Sequence, residues 1–115
     1  MDIRFDQVND IIIVTLHGKL ETATVENLSL ELDQYMNIVE IKVLVDLSDL
    51  VYVSSAGMSL LQRLAKSIKD NKGDILFCSA PQFIRESFDI VGFNQLLNFV
   101  DTRDDGISIL RQLVY

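Results

Sequence analysis

Apolar residues recur along this chain in two rhythms, and the points where the rhythm changes mark its elements. Asp2 to Gln7 alternates polar and apolar positions through Ile3 and Phe5. After the turn chemistry of Asn9-Asp10 comes the β-branched stretch Ile11 to Leu16, so the two segments predict a hairpin. Gly18 is expected to break the second strand. From Thr24 to Val39 the apolar residues Val25, Leu28, Leu32, Tyr35, Met36 and Val39 fall at helical spacing, with Glu26, Asn27, Glu31 and Gln34 elsewhere on the wheel. That spacing predicts an amphipathic helix with one buried face.

Residues 41–47, IKVLVDL, form a near-continuous apolar run that closes in Asp46-Leu47-Ser48-Asp49, and residues 74–79, DILFCS, form another. Both have the pattern of strands covered on both faces. Between them lies a predicted helix from Ala56 to Asp70, ended by Asn71-Lys72-Gly73. Strand, helix and strand at this length make a βαβ unit. Pro81 opens the next helix, with Gly92 just past its end. Leu96 to Val100 reads as a short strand, and Thr102 with Asp105 resembles a capping box for a last helix carrying Ile107, Leu110 and Val114. The expected fold is one α/β domain over residues 1–115, with about four helices and a mixed sheet of about five strands whose central strands are parallel. In such sheets the functional site tends to lie beyond the carboxyl ends of the parallel strands. The stretch LVYVSSAGMS, residues 50–59, falls there.

Charge narrows the partners. The 115-residue chain carries a formal net charge of -7 with its acids spread along its length, a surface that repels phosphate backbones and anionic lipid. Neither nucleic acid nor a membrane is the expected partner; a protein or a small molecule is. The longest aliphatic run, Ile11 to Val14, is far short of the roughly 20 residues that span a bilayer. No basic n-region leads into an apolar stretch at Met1-Asp2-Ile3-Arg4, so a cytoplasmic location is expected. The lone Cys78 has no internal partner and reads as a core thiol.

Enzymatic chemistry finds little support. A serine on a strand-to-helix turn suggests a nucleophile elbow, but Val53 stands where the first glycine of that motif belongs, and His17, the sole histidine, precedes the serine. Residues 101–106, DTRDDG, echo a calcium loop, yet Arg103 replaces one ligand and Gln112 replaces the bidentate glutamate. No zinc cluster, P-loop or dinucleotide fingerprint is present, so no metal or cofactor is expected.

Ser54-Ser55 is left to explain. One serine can cap the helix that follows, a role whose loss costs about 1 kcal/mol; one cap needs one serine. On the helical wheel Leu60, Leu61, Leu64, Ala65 and Ile68 gather on one side, while Ser59, Gln62, Arg63 and Lys66 gather on the other. Ser55 projects toward the polar side and Met58 lies at the border. This ridge is either a solvated face or a docking surface.

Residues 46–58, D-L-S-x-x-x-Y-V-S-S-A-G-M, resemble the signature of STAS domains, and in particular of bacterial anti-sigma-factor antagonists. Gly18-Lys19-Leu20-Glu21, Lys72-Gly73 and Val91-Gly92-Phe93 resemble further family segments in the same order, so the likeness extends over nearly the whole chain. It implies a non-enzymatic binding protein. In the family the serine at the position of Ser55 is phosphorylated by a partner that is both serine kinase and anti-sigma factor. The unphosphorylated form sequesters that partner and a phosphatase resets the cycle. Partner contacts are then expected at Glu21, Ser54, Ser55, Met58, Ser59, Gln62, Arg63 and Lys66. Ser54 and Glu21 stand where the family commonly has Asp, which makes Ser54 the alternative acceptor. The alternative function is an unphosphorylated STAS adaptor or ligand-binding subunit of a signalling or lipid-transport assembly. The sequence does not fix an oligomeric state.

Overall fold

A computed structural model describes residues 1–92 and 97–113. Strand β1 (Asp2–Val8) pairs antiparallel with β2 (Ile11–Leu20), and the order continues through β3 (Lys42–Val53), β4 (Asp74–Cys78) and β5 (Phe99–Val100), all parallel to β2. Helices α1 (Thr22–Met36), α2 (Ser55–Asp70), α3 (Gln82–Ile90) and α4 (Arg103–Arg111) complete the element list. Among the described residues, the mixed five-stranded sheet with four helices is the expected architecture. Phe93, Leu96 and Val114, to which the sequence reading assigned roles, lie outside the described residues.

The two faces of the sheet are filled separately, as period-two alternation requires. Val14, Leu16, Val43, Val45, Ile75 and Phe77 pack with Leu28 and Leu32 of α1, the apolar face of α2, and Ile84 and Phe88 of α3. Ile11, Ile13, Leu44 and Cys78 point the other way, against Leu110 of α4. Three helices therefore cover one face and α4 the other.

Several boundaries differ from expectation. Gly18 does not end β2; it sits inside the strand at φ +108°, where a residue without Cβ is at ease, and pairing continues to Leu20. Helix α1 begins two residues earlier than Thr24, because Glu21 is its N-cap and donates its N–H to Thr24 Oγ1 at 3.0 Å. It ends at Met36, leaving Ile38 and Val39 exposed. Strand β3 runs six residues beyond Leu47 and carries the chain to the serine pair. Pro81 is the N-cap of α3 and not its first residue.

Candidate functional site

The serine pair is assembled where the carboxyl end of β3 meets the amino end of α2. Ser54, extended at φ -84° and ψ 170°, is the N-cap of α2, and its Oγ accepts the Gly57 N–H at 3.1 Å. Its own N–H donates to the Leu20 carbonyl at 2.8 Å, which ties the seam to the end of β2. Gly57 is required by the same approach: a Cβ there would stand 2.7 Å from Leu20 Cγ and 2.9 Å from the Leu20 carbonyl oxygen. Thus the glycine in this stretch reflects how tightly α2 starts against β2.

Ser55 is different in kind. It is the first residue of α2, it is exposed, and its hydroxyl makes no hydrogen bond among the described residues. No acidic residue lies in the first turn of the helix, so an anion at Ser55 would meet the partial positive charge of the helix start and no local carboxylate of that turn. The two adjacent hydroxyls thus differ, one spent on the cap and one without a partner among the described residues.

Beyond Ser55 the polar side of α2 follows the expected line. Ser59, Arg63 and Lys66 are exposed and Gln62 is half-buried. Lys66 Nζ reaches Asp70 Oδ2 at 3.0 Å, whereas Arg63 has no ion pair among the described residues. Met58 is the correction. It is 5% exposed and belongs to the core, because its border position on the wheel turns inward. The exposed ridge therefore runs through Ser55, Ser59, Gln62, Arg63 and Lys66 without it. Glu21 lies half-buried one residue after Leu20, on the other chain segment that meets the seam.

Two surface residues escaped the sequence reading. Val51 and Tyr52 are consecutive yet both are about half exposed, at 56% and 49%, between buried Leu50 and Val53. A strand normally sends neighbours to opposite faces; here the pairing of β2 with β3 shifts register between Gly18 and Lys19, placing an extra residue in β3. The only available signal was the Y-V run before the serines, which reads as ordinary strand.

The other chemical candidates have structural explanations. His17 is an exposed strand residue 3.9 Å from Asp2. In DTRDDG, Thr102 Oγ1 accepts the Asp105 N–H at 3.0 Å as N-cap of α4, while Arg103 turns into the sheet to Asp46. Among the described residues no group of three or more His, Cys, Asp or Glu side chains could hold a metal ion, and no helix is long and apolar enough to cross a membrane.

Comparison with known proteins agrees with this architecture. The STAS domain family model matches residues 2–106. A relative from Bordetella bronchiseptica, described as a candidate anti-sigma factor antagonist, BtrV, is 30% identical over 104 residues, which cover 90% of each chain. Among solved structures, a candidate anti-sigma factor antagonist from Thermotoga maritima superposes with a TM-score of 0.84 at 16% identity, covering 96% of this chain and 95% of that one. The anti-sigma factor antagonist SpoIIAA in its unphosphorylated form gives 0.80 at 16% identity, covering 99% and 100%. The phosphorylated form of SpoIIAA, a Bacillus cell fate determinant, gives 0.73 at 16% identity, covering 96% and 100%.

Proposed function

The chain belongs to the STAS domain family, among relatives described as anti-sigma factor antagonists, and from that premise we propose that it is a binding protein switched by phosphorylation of Ser55. In its unphosphorylated form it captures a serine kinase that is also an anti-sigma factor, and a phosphatase restores that form. The observation that carries this reading is the division of labour at the seam: Ser54 Oγ is engaged by the Gly57 N–H, whereas Ser55 is exposed and its hydroxyl has no hydrogen-bond partner among the described residues.

The energetics favour release over refolding. A phosphate adds about 1.5 to 2 negative charges, and a helix start stabilises an anion by only about 0.3 to 1 kcal/mol at an exposed site. The helix therefore keeps its place. A partner that had closed over the serine must instead desolvate a dianion, at a cost of several kcal/mol unless it supplies a cation. Each 1.4 kcal/mol is about tenfold in affinity. The surface offered to the partner comprises Ser55 with Ser59, Gln62, Arg63 and Lys66, extended by Val51 and Tyr52 and flanked by Ser54 and Glu21. Apolar residues beside a polar rim are the composition of a protein interface.

Ser55→Asp tests the switch. Titrated by calorimetry against the kinase partner, it is expected to bind at least about tenfold more weakly than wild type. Equal affinity would refute the switch and leave an unswitched adaptor.

A further inference from the structure

The strand that delivers the serine pair leaves the centre of the sheet early. β4 stops at the pair Asp46 with Cys78, whereas β3 continues to Val53 with β2 beside it. Along this overhang β3 advances three residues, Asp46 to Asp49, while β2 advances two, Thr15 to His17. A second shift, Leu50 to Tyr52 against Gly18 to Lys19, adds another residue to β3. Two bulges therefore set the direction in which the overhang reaches α2.

The first bulge is stapled. Asp46 Oδ1 accepts the Ser48 N–H at 2.9 Å, within the bulge itself. Asp46 Oδ2 accepts from Arg103 Nε at 2.9 Å, and Arg103 Nη2 donates to Thr15 Oγ1 on β2 at 2.9 Å. One guanidinium thus joins β2 and β3 at the last matched pair before the register shifts. It is delivered by α4, which is keyed to the same strand at two further points. A Cβ on Gly106 would stand 2.5 Å from Leu44 Cδ1, and Lys42 Nζ donates to the Leu113 carbonyl at 2.8 Å just after the helix. Lys42, Leu44 and Asp46 are alternate residues of β3, so α4 is held along one line of that strand.

We propose that Arg103 is a positioning residue for Ser55: through Asp46 and the Ser48 N–H it fixes the bulge that aims the β3 overhang at the start of α2. The proposal rests on the reading of Ser55 as the switch. Without the guanidinium, the carboxylate keeps only Ser48, through its N–H and its side chain, and is no longer tied to β2 or α4, so the bulge is free to migrate. A slip of one residue would carry Val51 and Ser54 into the inward positions of Leu50 and Val53.

Amide hydrogen exchange read by mass spectrometry on the full chain tests this, with wild type, Arg103→Leu, Arg103→Lys and Thr15→Val compared. Arg103→Leu is expected to raise exchange across residues 47–57 by about tenfold or more while leaving α1 unchanged. Arg103→Lys restores part of the protection, and Thr15→Val, which removes only the outer bond, gives the same pattern at smaller amplitude and serves if Arg103→Leu does not fold. With ATP and the kinase that labels wild-type Ser55, Arg103→Leu should show at least about a threefold higher KM, reversed in part by Arg103→Lys. Unchanged exchange at 47–57, an increase spread equally over α1, or unaltered kinase kinetics would overturn the positioning role. A wild-type chain that no kinase labels would instead refute the switch, and the exchange pattern would still decide the bulge.

Discussion

Gly57 and Leu20 meet so closely that a Cβ on the glycine would overlap both the Leu20 side chain and its carbonyl oxygen, at 2.7 and 2.9 Å. The side chain could shift; the carbonyl is held by the Ser54 N–H. Replacing glycine by alanine inside a helix normally gains up to about 1 kcal/mol. Here the overlap, which costs about 1 to 3 kcal/mol in a filled core, wins. Gly57→Ala is therefore expected to lower stability by about 1 to 2 kcal/mol in a urea denaturation series.

The neighbouring serines separate in the same assay. Ser54→Ala removes the acceptor of the Gly57 N–H and should cost about 1 kcal/mol. Ser55→Ala removes an exposed hydroxyl without a partner among the described residues and should stay within about 0.5 kcal/mol of wild type. Equal losses at both positions would contradict the assigned division of labour.

Acid should loosen the overhang. Burial pushes the Asp46 carboxyl up, but hydrogen bonds from the Ser48 backbone and side chain, then from Arg103, and the charge of Arg103 together pull it below its ordinary 3.8. A carboxyl lowered in the folded state stabilises fully above its unfolded value, and that contribution is lost as pH falls through the folded value. Asp46→Asn should be less stable than wild type at pH 7, with the gap narrowing below about pH 4. Denaturation midpoints between pH 3 and 7 read this directly.

Cys78 should be inert in the folded chain. Burial, and then the Asp46 charge, push its thiol up to about 11. At pH 8 only about one molecule in a thousand would carry the reactive thiolate. A disulfide reagent such as DTNB is expected to label the protein fully in denaturant and negligibly without it, on a timescale of minutes.

Regular periodicity made most of this fold legible. The wheel of α2 separated Leu60, Leu61, Leu64, Ala65 and Ile68 from the polar ridge correctly, and these five are buried. Residues 41–47 declared a buried central strand for the same reason. Legibility failed where backbone pairing, and not side-chain rhythm, decides the structure. Bulges break the alternation of Ser48 to Val53, so a run that reads as ordinary strand up to the serines hides the joint exposure of Val51 and Tyr52. Gly18 looked like a terminator because a strand interior rarely favours glycine, yet it stands where the β2–β3 register shifts. Met58 was ambiguous on the wheel, and its place in the core is settled only by packing. Arg103 stood out in the sequence solely as a spoiled calcium ligand. Its partner, Asp46, is 57 residues away, a distance no local pattern bridges.

The most direct test of the account is the mass and site of the phosphate. Wild type, Ser54→Ala and Ser55→Ala would each be incubated with ATP and the serine kinase partner, then measured intact and after digestion. The account predicts one phosphate on wild type and on Ser54→Ala, located at Ser55, and none on Ser55→Ala. A phosphate that persists on Ser55→Ala and vanishes from Ser54→Ala would contradict it.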